Sequence, residues 1–252
     1  MNLKRLLQEL LELNTQKTID HTALIVEGLE AGVNPTELII PDEVDGLPVV
    51  AIKENAFDGN SSIQTLKIGN NISIISTYAF GYMEALQTVT IGNGVKTIQR
   101  YAFDSCTNLQ TLVLGSSVET IEEGAFLNSF NLAEINIPDS VVIIGESAFA
   151  DNDGGGANVV SRNGKITLGA SVKEIREKAL SGLKVTTTIG SVNYVGSAEN
   201  PAISYNGTID ELNTIYLVNN YKKSEYWAGV EATIYIKCID GVTTVATGHV
   251  PA

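Results

Sequence analysis

A chain of 252 residues is long enough to bury a sizeable core, as two ordinary domains or one elongated one. Its 29 acidic against 16 basic residues give a net charge of −13, which repels phosphate backbones and anionic lipid heads and so argues against nucleic acid and membrane partners. Two cysteines, Cys106 and Cys238, are too few for a disulfide framework and too far apart for a metal-ligand pair, and no apolar run reaches the roughly 20 residues of a membrane helix.

The chain opens with Leu3, Leu6, Leu10 and Leu13 at a/d spacing, a stripe widened by Leu7 and Leu11. This predicts an amphipathic helix in an N-terminal segment, residues 1–22, that caps whatever follows. The sharper alternative is self-association or anchoring through residues 3–13. Gln8, Glu9 and Glu12 interrupt the leucines, so the segment does not have the apolar core of a secretory signal peptide.

From residue 23 to 184 the chain repeats itself. Ala-Phe stands at 56–57, 79–80, 102–103, 125–126 and 148–149, so five of the six Phe residues share one register, 23 residues apart. A V/I-x-x-I step precedes each pair: Val49/Ile52, Ile72/Ile75, Val95/Ile98, Val118/Ile121 and Val141/Ile144. After it comes the spacing of Ile63/Leu66/Ile68, Leu86/Val89/Ile91, Leu109/Leu112/Leu114 and Leu132/Ile135/Ile137. Gly69, Gly92, Gly115 or Pro138 then breaks the strand, followed by Asn70, Asn93, Ser116 or Asp139, residue types that bond their own backbone in turns. One such unit cannot bury its own apolar face. Stacked as coils at the roughly 4.8 Å spacing of a parallel sheet, the units bury a continuous core with a column of Phe rings inside.

The row "LQTLVLGSSVETIEEGAFLNSFN", residues 109 to 131, and "INIPDSVVIIGESAFADN", residues 135 to 152, resemble the BspA-like leucine-rich repeats over about residues 39 to 182. Cys106 falls on that family's cysteine position, and "IYLVNNYKKSEYW", residues 215 to 227, resembles its closing segment, with Asn219 where proline is usual. The resemblance implies a mostly β, right-handed leucine-rich-repeat solenoid of 23-residue coils, with an N-terminal helical cap and a C-terminal β-rich cap. It also implies recognition of a protein or glycan without catalysis, at a cell surface, extracellularly or on a virion. An alternative class is a structural component of a virion, fibre or other large assembly, anchored through the Leu-rich helix. A third, an enzyme with a C-terminal site, is disfavoured by the scarcity of His and Cys.

The register slips by eight residues between Phe149 and Leu180, and the excess falls in "DNDGGGANVVSRNG", residues 151–164, read as a flexible turn with a hairpin at Asn163-Gly164. Asp151 and Asp153 invite a calcium loop, but Arg162 stands where the ligating Glu is needed, so the loop is read as solvated. Beyond residue 185 the repeat pattern is expected to stop, leaving residues 185–252 as a capping β-rich segment with a hairpin at Asp240-Gly241. Six of nine tyrosines and the single Trp lie there, either as a small core or as an exposed patch of Tyr221, Tyr226 and Trp227 that anchors a partner.

Catalytic, metal and cofactor signals do not accumulate. "GESAF", residues 145–149, begins like a nucleophile elbow, but Ser147 sits in a variable slot of the repeat, and "GNGVKT", residues 92–97, lacks the spacing of a phosphate loop. His21 and His249 stand alone, and sequons at Asn60, Asn71 and Asn206 matter only in a eukaryotic secretory pathway. The candidate binding surface is therefore the outward face of the strands, where Thr65/Lys67, Thr88/Thr90, Thr111/Val113 and Glu134/Asn136, followed by Lys165/Thr167, are expected as adjacent rungs.

Overall fold

The computed structural model describes residues 13–129, 131–132, 134–150, 165–176, 179–180, 187–189, 192–195, 203–212, 216–217 and 232–246. Strands β1 (Leu13–Lys17) and β2 (Leu24–Leu29) form an antiparallel hairpin. Its turn is held by Asp20, whose carboxylate accepts from the Thr18 hydroxyl and the Thr22 amide, with His21 in the left-handed region at φ 58°.

Each coil that follows gives one strand to each of two walls. These strands are β3 (Glu37–Ile40), with β4 (Glu43–Val44) hairpinned onto β5 (Leu47–Ile52), then β6 (Thr65–Ile68) and β7 (Ile74–Ile75), and β8 (Thr88–Thr90) and β9 (Thr97–Ile98). The series continues with β10 (Thr111–Val113) and β11 (Thr120–Ile121), β12 (Glu134–Asn136) and β13 (Ile143–Ile144), and β14 (Lys165–Leu168) and β15 (Glu174–Ile175). One wall is the parallel ladder β2-β5-β7-β9-β11-β13-β15, to which β1 adds at the start. The other wall begins as β3-β6-β8-β10, with Thr65 opposite Thr88 and Thr88 opposite Thr111.

The core follows directly from the sequence spacing. Leu66, Val89 and Ile135 from one wall and Ile52, Ile75, Ile98, Ile121 and Ile144 from the other are all 1% exposed or less. Burying each such side chain stabilises the fold by about 1.5–3 kcal/mol before conformational entropy is charged against it. Between the walls the chain turns through Ala-Phe, and here too successive coils are hydrogen-bonded: the Phe80, Phe103 and Phe126 amides donate to the Ala102, Ala125 and Ala148 carbonyls at 2.7–2.9 Å. The rings of Phe57, Phe80, Phe103, Phe126 and Phe149 stack face to face with centroids 5.1 Å apart. Ala79, Ala102, Ala125 and Ala148 beside the rings are fully buried, so a larger side chain there would have to displace packed neighbours.

Two expectations about the ends are corrected. The helix read over residues 1–22 does not extend through that range: residues 1–12, and so Leu3 to Leu11, lie outside the described residues, and Leu13 is the first residue of a strand. Leu13 is buried while Asn14, Gln16 and Lys17 are exposed, and β2 offers an open edge for it to pair with, so tertiary pairing overrides the helical spacing. At the other end the ladder does not stop at 185. After β16 (Thr187–Ile189) and β17 (Val192–Val195), strand β18 (Ile203–Tyr205) pairs in parallel with β14, placing Ile203 opposite Ile166 and Tyr205 opposite Leu168. Past the single-turn helix α1 (Ile209–Leu212), β19 (Tyr216–Leu217) pairs with β15. Ile203 and Tyr205 are buried where Leu and Ile stand in earlier coils, and the Tyr205 hydroxyl donates to the Ala170 carbonyl at 3.2 Å.

The expected hairpin is present, joining β20 (Ala232–Cys238) to β21 (Gly241–Ala246), but it turns at Ile239-Asp240, one residue before the expected Asp240-Gly241, because Gly241 is already paired with Cys238 in the ladder. The expected turn at residues 151–164, with Asp151, Asp153 and Asn163-Gly164, lies outside the described residues.

The turn residues also act differently from the local role read for them. The Asn70 amide donates to the Asp42 carboxylate, the Asn93 amide to the Asn70 side chain at 2.9 Å, the Ser116 amide to the Asn93 side chain at 3.0 Å, and the Ala170 amide to Asp139 at 2.9 Å. In a stack the nearest unpaired amide belongs to the next coil, so these side chains tie coil to coil rather than closing their own turns.

Candidate functional site

The second wall positions the residues singled out on the strands. Leu66, Val89 and Leu112 point into the core, so their neighbours along each strand point out. Thr65, Thr88 and Thr111 form one row in register, continued by Glu37, and Lys67, Thr90 and Val113 form the next, continued by Ile39. Lys67, Thr111 and Val113 are exposed and Thr65, Thr88 and Thr90 half-buried. Gln64, Gln87 and Gln110 add a third, exposed row, and their backbones bond one to the next, Gln87 to Gln64 at 2.8 Å and Gln110 to Gln87 at 2.9 Å. The charge on this face is one ion pair, Lys67 Nζ to Glu37 Oε1 at 2.8 Å. At its exposure such a pair contributes about 1 kcal/mol at most and orients both side chains.

The expected single face is interrupted. Glu134 and Asn136 are exposed on β12, but β12 belongs to a separate sheet, β12-β14-β18-β20-β17-β16, with β21 beside β20. There Glu134 stands opposite Lys165 and Asn136 opposite Thr167. The structure thus brings together Thr65, Lys67, Thr88, Thr90, Thr111 and Val113, and sets Glu134 and Asn136 on the adjoining sheet. Tyr221, Tyr226 and Trp227 lie outside the described residues.

A second cluster lies at the Ala-Phe turns and was not singled out in the sequence. Two positions per coil take left-handed backbone there: Asn55, Tyr78, Tyr101, Gly124 and Ser147 at one, and Gly59, Tyr82, Ser105 and Asn128 at the other. Ser147 thus occupies the same repeat position as Asn55, Tyr78, Tyr101 and Gly124. Tyr78 and Tyr101 stack at 5.1 Å, and the Tyr101 ring continues over Gly124, where an added Cβ would lie 2.4 Å from Tyr101 Cε1. The Tyr101 hydroxyl donates to Glu123 Oε1 at 2.6 Å, and Arg100 pairs with the same carboxylate at 3.3 Å. Tyr82 is half exposed at 51%. Its main-chain amide donates to the Asp104 carbonyl at 2.7 Å, and the buried Asp104 carboxylate accepts from Ser105 at 3.0 Å and Asn128 at 3.3 Å. Burial raises the Asp104 carboxyl against the lowering effect of these bonds, and burial first, then the nearby acids, raises Tyr78. The sequence carried one signal for this cluster, a Tyr immediately before Ala-Phe in two successive rows.

The bond to Glu123, reinforced by burial, pushes Tyr101 up from 10.0 to about 12. The folded state therefore holds this proton more tightly than the unfolded chain, so the bond's contribution to stability is complete below pH 10 and is lost as pH rises to about 12. Thermal midpoints of Tyr101→Phe across that window should fall less with pH than those of the unaltered chain, and parallel profiles would contradict the assignment.

Buried thiols and histidines are accounted for locally. The Cys106 thiol donates to the Phe80 carbonyl at 3.2 Å, and burial pushes it up to about 12, which keeps it in the unreactive thiol form. His21 is an exposed turn residue, and His249 lies outside the described residues. The sequon side chains of Asn60, Asn71 and Asn206 are engaged with Ser62, the Asp42 carbonyl and Asp139. Among the described residues no three His, Cys, Asp or Glu side chains gather as a metal would need.

Residues 32–154 match the BspA type leucine rich repeat region in six copies. This segment is a BspA-type leucine-rich-repeat region. No curated protein matches the chain. Among solved structures, a leucine rich repeat protein of T. pallidum is similar at 23% identity and a TM-score of 0.60, over 68% of this chain and 75% of that one. A leucine rich cell surface protein of Faecalibacterium prausnitzii A2-165 is similar at 20% identity and a TM-score of 0.55, over 91% of this chain, which spans 58% of that protein. At these identities the likeness is one of fold. It extends the leucine-rich-repeat architecture beyond the matched region, in keeping with the pairing of β18 and β19 onto the repeats.

Proposed function

We propose that this chain is a non-enzymatic recognition and adhesion module that presents the strand face of its leucine-rich repeats to a protein or glycan partner. The observation that carries this is the register of Gln64/Gln87/Gln110, Thr65/Thr88/Thr111 and Lys67/Thr90/Val113, three exposed or half-exposed rows of amide, hydroxyl and mixed side chains on strands anchored by the core beneath. Such rows offer donors and acceptors at fixed spacing, and a ligand bound there meets little ordering cost in the protein. Glu134 and Asn136 extend the surface onto the adjoining sheet. Surface display is supported by the description of the F. prausnitzii protein as a cell surface protein, and among the described residues no helix is long and apolar enough to cross a membrane.

The finer architecture is part of the same reading. The coil is a right-handed one of 23 residues from β5 to β13, supported by cross-coil bonds between residues 23 apart.

The test is a glycan and protein array read with the unaltered chain, then with two variants. Replacing Thr88, Thr90 and Thr111 together by Lys should abolish binding with the fold retained, while Trp227→Ala should leave it intact. Loss in the Trp227 variant alone would move the site to the C-terminal segment, and loss in neither would remove both surfaces.

A further inference from the structure

The three tyrosines outside the C-terminal region all fall on the Ala-Phe turns, away from the strand face. Tyr78 and Tyr101 are stacked, and Tyr82 presents half its surface to solvent from a backbone fixed in the left-handed region at φ 53°. Burial first, then the negative charge of Asp104, Asp58 and Glu123, raises Tyr78. Between Asp58 and Asp104, on the intervening coil, the equivalent position is Gly81. An added Cβ there would lie 2.7 Å from Asp58 Oδ1 and 3.2 Å from Tyr78 Cδ1, so the Asp58 carboxylate leans across the space that a side chain would fill. The bonds from Ser105 and Asn128 hold Asp104 in one orientation. Arg100, next to Tyr101, is paired with Glu123.

We propose that this turn face, built from Tyr78, Tyr82 and Tyr101 with Asp58, Asp104 and Glu123, docks a lysine- or arginine-bearing segment of a partner protein. Charge complementarity selects that occupant. A cation over a tyrosine ring is attracted by the ring's quadrupole, and carboxylates beside the ring complete its shell. A second copy of a chain with net charge −13 and nucleic acid are both repelled. A neutral sugar would use the rings and leave the exposed Asp58 carboxylate to be desolvated without a cation. Tyr and Arg are also the residues in which interface energy concentrates.

The probe is a fluorescent heptapeptide, Gly-Arg-Gly-Arg-Gly-Arg-Gly, with a Gln-for-Arg control, titrated at about 0.15 M salt, where surface charges beyond about 8 Å are screened. The Arg peptide should bind and the Gln peptide should not. Tyr82→Asn, which keeps a residue type that tolerates left-handed backbone, should weaken the Arg peptide about tenfold. Asp58→Asn, an exposed change that leaves the core untouched, should weaken it measurably. Glu119→Gln, a remote exposed acid, should have no effect. Circular dichroism of each variant confirms the fold. The proposal is overturned if the Arg peptide does not bind the unaltered chain. Equal binding by Tyr82→Asn, or equal losses in Glu119→Gln, also overturns it, since attraction is then diffuse. Binding of a neutral cello-oligosaccharide that Tyr82→Asn abolishes and Asp58→Asn spares would replace the cation with a sugar.

Discussion

Phe103→Ala should lower the unfolding free energy by about 3–5 kcal/mol, because it removes a fully buried ring with a stacked neighbour on each side. For a chain of this length that corresponds to a fall of roughly 10 °C in the melting temperature. Thr88→Ala, on the outer face of the neighbouring coil and half-buried, should cost within about 0.5 kcal/mol. The contrast separates two accounts of the Ala-Phe recurrence. If each coil were stable alone, losing one ring would be a local defect that the rest of the chain ignores. In a stack each coil is held by its neighbours, so an interior cavity weakens two interfaces at once. Scanning calorimetry on both variants decides it, and similar midpoints would mean that the column does not carry the fold.

Gly94→Ala should be comparably damaging for a different reason. A Cβ at Gly94 would sit 1.7 Å from the Asn70 carbonyl oxygen of the coil before, an overlap with backbone that no rotamer change relieves. Coils must separate locally, which costs about 3 kcal/mol or more when packed backbone has to shift. Gly32→Ala is the informative control: Gly32 has φ +84° but open space around it, so alanine there meets only the left-handed penalty of about 1–2 kcal/mol. Urea denaturation midpoints should place Gly94→Ala well below Gly32→Ala. The reverse order would place the coils farther apart than the ladder bonds require.

Where the same physical demand returned at the same register, the fold was legible from the residues. Val49/Ile52 through Val141/Ile144 must face inward in every coil, and all ten are buried. The alternation in T-L-K-I and T-V-T likewise places Thr65, Thr88 and Thr90 on the outward face. What escaped was whatever depends on one coil's neighbour. Leu13 has the spacing of a helix but pairs with Leu29 because the edge of β2 is open to it. Ile203 and Tyr205 lack the V/I-x-x-I and Ala-Phe markers, yet β14 presents an unpaired edge that any extended apolar segment satisfies, so the ladder continues past the last legible repeat. The tyrosine cluster was hidden because one side chain, Tyr82, stands at a slot filled elsewhere by Gly59, Ser105 and Asn128. A turn position that accepts small polar residues carries no sign that an aromatic there will lie beside a buried Asp104.

From β2 to β15 the coils form one continuous ladder, so the outward strands should be as rigid as the coils beneath them. Native-state hydrogen exchange measures this directly, since the Phe80, Phe103 and Phe126 amides each donate across a coil boundary. In a linear array held by nearest-neighbour interfaces, opening is hardest in the middle. These three amides should share the highest protection, close to the global unfolding free energy, with protection falling toward the β1-β2 hairpin at one end and β18 at the other. Phe103 exchanging as fast as the β1 amides, or a step in protection that isolates one interior coil from the next, would contradict the account.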